Sequence, residues 1–252
     1  MDLKTASRIF FAVTMIAIGV IGFAGGGFAA IWEPVPDAMP GRQLLAYLCA
    51  LVALACGAGL LTKRTAALAA PILLFYLLIW TIFFKVPFIV RAPLEEVSYQ
   101  STGENLVLVA AAWILSAELS RASKLPMGHG GLRIAYLLYG LALIAFGLSH
   151  LAYLNMTAPL VPGWLPGPST FWAYLTGAIY FGTGVMVAAG IAVRSATAVA
   201  AVQIALITAL VWGPMLFAGP LSQMHWQETI VSWALTAGAW VLATGWRRDS
   251  RA

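Results

Sequence analysis

Few residues of this 252-residue chain could do chemistry, and three of them stand at the ends of apolar segments: His150, and His225 with Glu228. His225 and Glu228 are three positions apart, so on a helix they share one face. Imidazole and protonated carboxyl groups so placed can donate to a quinone carbonyl and relay its protons. Tyr153, Trp164 and Trp226 add rings that could pack against such a head group. Groups this polar are costly in hydrocarbon and must face the bundle interior or water. A structural role competes with this reading, because His, Trp and Glu near helix ends also anchor helices and cap exposed backbone groups. Two unlinked histidines are too little for a haem ligand pair, and the same two with Glu228 lack zinc-site spacing. No metal site is expected.

The elements that must position these groups follow from composition. The chain is 62% hydrophobic and 9% charged, against about 25% charged in soluble domains. Apolar runs of about twenty residues recur, the length needed to cross a hydrocarbon core. The alternating strands of a membrane barrel are absent. The chain reads as an all-α integral membrane protein whose first partner is the lipid bilayer.

A net charge of +5 does not point to nucleic acid, because the basic residues lie between apolar segments and sort by side. Lys4, Arg8, Lys63, Arg64, Arg121, Lys124, Arg133, Arg194, Arg247, Arg248 and Arg251 fall on one side; Arg42, Lys85 and Arg91 fall on the other. By the positive-inside rule this predicts eight crossings of a bacterial-type inner membrane, with both termini cytoplasmic. Glu33, Asp37, Glu95, Glu96, Glu104 and Glu228 lean to the outer side. Cys49 and Cys56 lie on one helical stripe, roughly 10 Å apart, too far for a mutual disulfide, and read as small buried hydrophobes. The N-terminal apolar run reads as a retained helix rather than a cleaved signal.

In order, the expected helices are Arg8 to Ile31, Arg42 to Leu61, Thr65 to Phe84, Glu104 to Leu119, Arg133 to around His150–Leu154, Thr170 to Ile191 and Ser195 to Trp212, and after an outer loop through Ser222 to Glu228 an eighth continues to Gly245-Trp246. Ser101-Thr102-Gly103-Glu104 fits a capping box for the fourth, and Gly213-Pro214 would stop the seventh. No charge then falls in mid-helix, which argues against an ion-coupled transporter. Residues 121–131 have the composition of a cytoplasmic linker and divide the chain into units 1–120 and 132–252.

The units repeat. Ala46-Tyr47-Leu48 matches Ala173-Tyr174-Leu175, Gly57 matches Gly184, Pro87 and Pro93 match Pro214 and Pro220, and Trp113 matches Trp240, all at an offset of 127. Four crossings per unit make this a parallel repeat rather than an inverted one.

These residues resemble the DoxX-like superfamily of small four-helix membrane proteins (DoxX, DoxD, YphA-type and SURF4). The likeness lies in Gly147 and His150, then Val161-Pro162-Gly163-Trp164-Leu165-Pro166, Gly177, Gly184 and Arg194 to Ala198. In the first unit it lies in Gly19, Gly22, Gly57, Arg64 to Ala67 and Gly103 to Leu106. It covers nearly the whole chain as two fused units, each expected to be a four-helix bundle. It implies one of several roles: thiosulfate:quinone oxidoreduction, oxidative-stress complexes, or protein export and chaperoning. The first unit has Gly25 to Gly27 near the place of His150, so a site using that histidine exists once.

Three functions are therefore weighed. A quinone-linked component of a redox system needs an outer pocket holding His150, His225 and Glu228. A chaperone-like module for another membrane protein needs an exposed groove instead. A transporter of a small apolar solute needs a path past Gln203 and Thr208. The chain has no phosphate-cradling glycine loop, paired-cysteine redox motif or nucleophile elbow to suggest other chemistry.

Overall fold

The computed structural model describes residues 1–119, 129–217 and 222–246. Among them there is no strand. Eight long helices follow in order: α1 (Leu3–Gly25), α2 (Arg42–Leu60), α3 (Lys63–Arg91), α4 (Glu96–Leu119), α5 (His129–Ala152), α6 (Ser169–Ala188), α7 (Val193–Met215) and α8 (Gln223–Gly245). The first seven are long and apolar enough to cross a membrane. The linker expected at 121–131 lies outside the described residues up to position 128, and α5 already begins at His129.

Among the described residues, glycines bring the backbones of facing helices within 3 Å of a built Cβ at four places. A Cβ on Gly57 would stand 2.8 Å from Ala12 O and Ile16 N, and one on Gly19 2.7 Å from Ala50 O and Leu54 N. In α5 and α6, Gly184 stands in the same way against Gly140 O and Ile144 N, and Gly147 against Gly177 O and Phe181 N. Without side chains here the backbones approach closely enough for dispersion to hold the helices together, as small residues do between apolar helices.

Around the bundle each helix packs on the next, α1 on α2 through α7 on α8. The ring closes between α8 and α1, and α4 also packs against α8. Ala110, Ala111 and Ala112 of α4 and Ala234 and Ala237 of α8 are buried. At this contact Gly238 of α8 lies against Val107 and Ala111 of α4.

Two helices run further than their sequence suggests. α3 passes through Pro87 to Arg91, and α7 through Pro214 to Met215. Each carries a π turn just before its proline, Thr81–Lys85 and Thr208–Trp212. There the Val86 and Gly213 amides donate to Thr81 O and Thr208 O, five residues back. The wider turn accommodates the proline ring and missing N–H that would otherwise break the helix. Gly213-Pro214 is therefore not a stop.

Both threonines also bind the neighbouring helix. Asn105 Nδ2 donates to Thr81 Oγ1 at 2.6 Å, and Thr208 Oγ1 lies 2.7 Å from Ser232 Oγ. Asn105 and Ser232 are again 127 positions apart.

α4 likewise begins at Glu96, not Glu104, so Ser101 and Glu104 are interior and form no capping box. Lys85 and Glu104 are accordingly mid-helix charges, contrary to the expectation of none. Lys85 is fully buried and its Nζ donates to Glu33 O. Cys49 and Cys56 are free and buried.

Candidate functional site

At the end of the bundle that holds the α1–α2, α3–α4 and α5–α6 connections, the two halves differ. In the first, Trp32, Tyr76, Trp80 and Phe84 pack ring on ring into one aromatic cluster. Trp80 stacks on Phe84 at 4.1 Å and meets Trp32 edge-on at 5.4 Å, and its Nε1 donates to Trp32 O at 3.1 Å. At the positions 127 further on, Tyr76, Trp80 and Phe84 are replaced by Gln203, Ile207 and Val211. Those smaller side chains line a cavity of about 840 Å³. The cavity exists where the aromatic plug does not.

Its walls are apolar along α6 and α7, including Leu175, Ile179 and Ile204. Its other end is polar. α4 supplies Glu96, Gln100 and Glu104, a stripe with four-residue spacing on one helical face, together with Ser101. α8 adds Gln227 and Glu228, α5 adds His150, and the α1–α2 connection adds Glu33. Lys85, Glu96 and Glu228 lie close enough to Glu104 to act on its charge. Glu104 Oε1 accepts from Gln100 Nε2 at 3.0 Å, and Glu33 is held by Arg42 at 2.8 Å. The Ser101 hydroxyl is buried without a hydrogen-bond partner.

His150 Nδ1 is 2.9 Å from Phe146 O. A carbonyl only accepts, so Nδ1 carries the proton, and in the neutral ring Nε2 remains as an acceptor. The ring leans on Tyr180 at 5.6 Å. It joins the carboxyl groups of Glu96, Glu104 and Glu228 at a polar end that also holds the Ser101 hydroxyl and the Gln227 amide.

The structure brings His150 and Glu228 to this one cavity and leaves the other four residues singled out by sequence off its wall. His225 is in the first turn of α8, where its amide donates to the N-cap Ser222 Oγ at 3.2 Å; its Nδ1 is buried and unpartnered. Tyr153 Oη donates to Leu94 O at 2.6 Å, tying the end of α5 to the α3–α4 connection. Trp164 is 63% exposed and Trp226 41%. The aromatic lining comes from Phe146, Trp172, Tyr180 and Trp212 instead. Sequence reading missed Glu96, Gln100 and Glu104, although their spacing would have revealed a helical stripe had the segment been taken as a helix. Among the described residues no group of three His, Cys, Asp or Glu side chains could hold a metal ion.

Compared with known proteins, the chain matches no protein-family model, no curated protein and no solved structure.

Proposed function

We propose that this chain is a bacterial-type inner-membrane protein of two DoxX-like four-helix repeats, with α8 as its eighth crossing. It binds a quinol in the cavity as the membrane component of a redox system. The repeat reading is supported by the paired glycine contacts and by the two π turns 127 residues apart. The charge asymmetry of the connections supports cytoplasmic termini and an outward cavity.

One observation carries the ligand reading: a cavity of about 840 Å³ with apolar walls and one polar end where carboxyl and imidazole groups gather. Pockets of several hundred Å³ with few convergent polar groups are the usual form of small-molecule sites. Such an end suits a head group that donates, and the two hydroxyls of a quinol do so. His150 Nε2 and the Glu104 carboxylate are the natural acceptors, and Trp172 can face the ring. The quinone form only accepts, and the donors it meets at this end are the Ser101 hydroxyl and the Gln227 amide. Thr208, by contrast, is fully buried among Ser232 and Thr236 and forms no part of the wall, which gives the transporter reading less support.

The test is titration of the protein in lipid nanodiscs with a membrane quinol, beside mass spectrometry of organic extracts of the purified protein. His150→Ala and Glu104→Gln should each weaken binding about tenfold, equivalent to about 1.4 kcal/mol. Absence of binding, or binding unchanged in both variants, would overturn the reading and favour a partner-binding module.

A further inference from the structure

The cavity has a side as well as an end. Of the seven apolar helices, α6 and α7 are the least covered, with 33% and 28% of their apolar stretches buried. Leu175 on α6 and Val199, Val202 and Leu206 on α7 line the cavity, yet they are also 39% to 60% exposed. Side chains this accessible on a cavity wall mean that the cavity is open beside α6 and α7 rather than sealed by them. Where α5 meets α6, Gly140 and Gly147 press backbone against backbone. Where α6 meets α7, Gln203 Nε2 donates to Thr176 O at 3.0 Å.

From this we infer that the ligand enters sideways, from the hydrocarbon layer between α6 and α7, and is an amphiphile whose long apolar tail stays in that gap. The inference rests on the cavity being a ligand site, as proposed above. A tail already dissolved in lipid gains nothing by crossing water, whereas an apolar gap lets it remain solvated by chains like itself. The acceptors of α4, α5 and α8 then take only the head. This layout selects for a donor head on a long tail and against water-soluble molecules carrying the same head.

The route can be tested without knowing the ligand. A nitroxide is placed at Ile179→Cys on the cavity wall, in a Cys49→Ala, Cys56→Ala background, and the protein is put into lipid nanodiscs. Oxygen, which concentrates in hydrocarbon, should relax the label more strongly than a water-soluble nickel chelate. Val202→Trp should lower the oxygen effect severalfold, whereas Leu68→Trp, at an exposed position on α3, should not. In parallel, Val202→Trp should weaken binding of an isoprenoid-tailed quinol at least about tenfold and leave a tail-less hydroquinone within about twofold. A label reached preferentially by the nickel chelate, or an oxygen effect indifferent to Val202→Trp, would overturn lateral entry. If the wild type binds neither quinol, the functional reading fails, while the label still decides the route.

Discussion

A Cβ built on Gly177 would stand 2.8 Å from the Cβ of His150. Glycine on α6 is thus what lets the histidine of α5 sit at the cavity wall. In the first half the corresponding pair is reversed: Gly22 on α1 faces Ala50 on α2, with 3.0 Å between a built Cβ and the alanine methyl. Gly177→Ala should therefore destabilise the protein by about 1–3 kcal/mol through overpacking. Adding His150→Gly recreates the first-half arrangement and should recover much of that loss. Thermal unfolding in detergent of the two single variants and the double variant measures the coupling. Additive losses would mean that the two residues do not compete for the same space.

Filling the cavity tests whether its volume matters. Ile207→Trp restores the side chain that plugs the first half, at the corresponding position of α7. It should abolish quinol binding, by tenfold or more, while leaving the melting temperature unchanged or raised. Unaltered binding with an intact fold would show that the ligand sits elsewhere.

The close glycine contacts should be equally critical in both halves. Gly57 and Gly184 each leave 2.8 Å between a built Cβ and backbone atoms of the facing helix. Backbone cannot step aside as a side chain can, so Gly57→Ala and Gly184→Ala should each cost about 1–3 kcal/mol. Denaturant or thermal titration should give losses of similar size. A large loss in one and none in the other would deny the equivalence of the two contacts.

The hydrogen bond from Asn105 to Thr81 predicts a smaller effect. Asn105→Leu removes a 2.6 Å bond between buried side chains and leaves the Thr81 hydroxyl to its own helix, where it already donates to Leu77 O. A destabilisation of about 0.5–2 kcal/mol is expected, within the range found for polar pairs between membrane helices. Thr81→Val in the same background should add little. A full additional loss in the double variant would place the stabilisation outside this bond.

The helices were legible in the sequence because their apolar runs are long and their turns carry Gly, Pro or charge. α2 matches its expected limits to within one residue. The reading lapsed at the end of α3 and the start of α4, where Lys85, Pro87, Arg91, Pro93, Glu95 and Glu96 read together as a polar connection. Physically, the π turn makes room for Pro87, and the Glu33 carbonyl takes up the Lys85 ammonium. Neither is visible locally, since both depend on residues far away in sequence. The site suffered for the same reason. His150 and Glu228 stood out as isolated polar residues beside apolar runs, whereas the Glu96–Gln100–Glu104 stripe was hidden inside an apparent loop. Tyr153, Trp164 and Trp226 were attractive by type alone. Their positions depend on how the 153–168 segment and the start of α8 fold.

The helix order around the ring has a consequence for assembly. α1 packs on α8 and α5 on α4, so the opening helix of each half is partnered by the closing helix of the other. Neither half is self-sufficient: made alone, each would present two uncovered helix faces to the bilayer. A chain severed between positions 120 and 128 should consequently behave as a complementing pair, with fragments that accumulate only when co-expressed and that purify as a one-to-one complex.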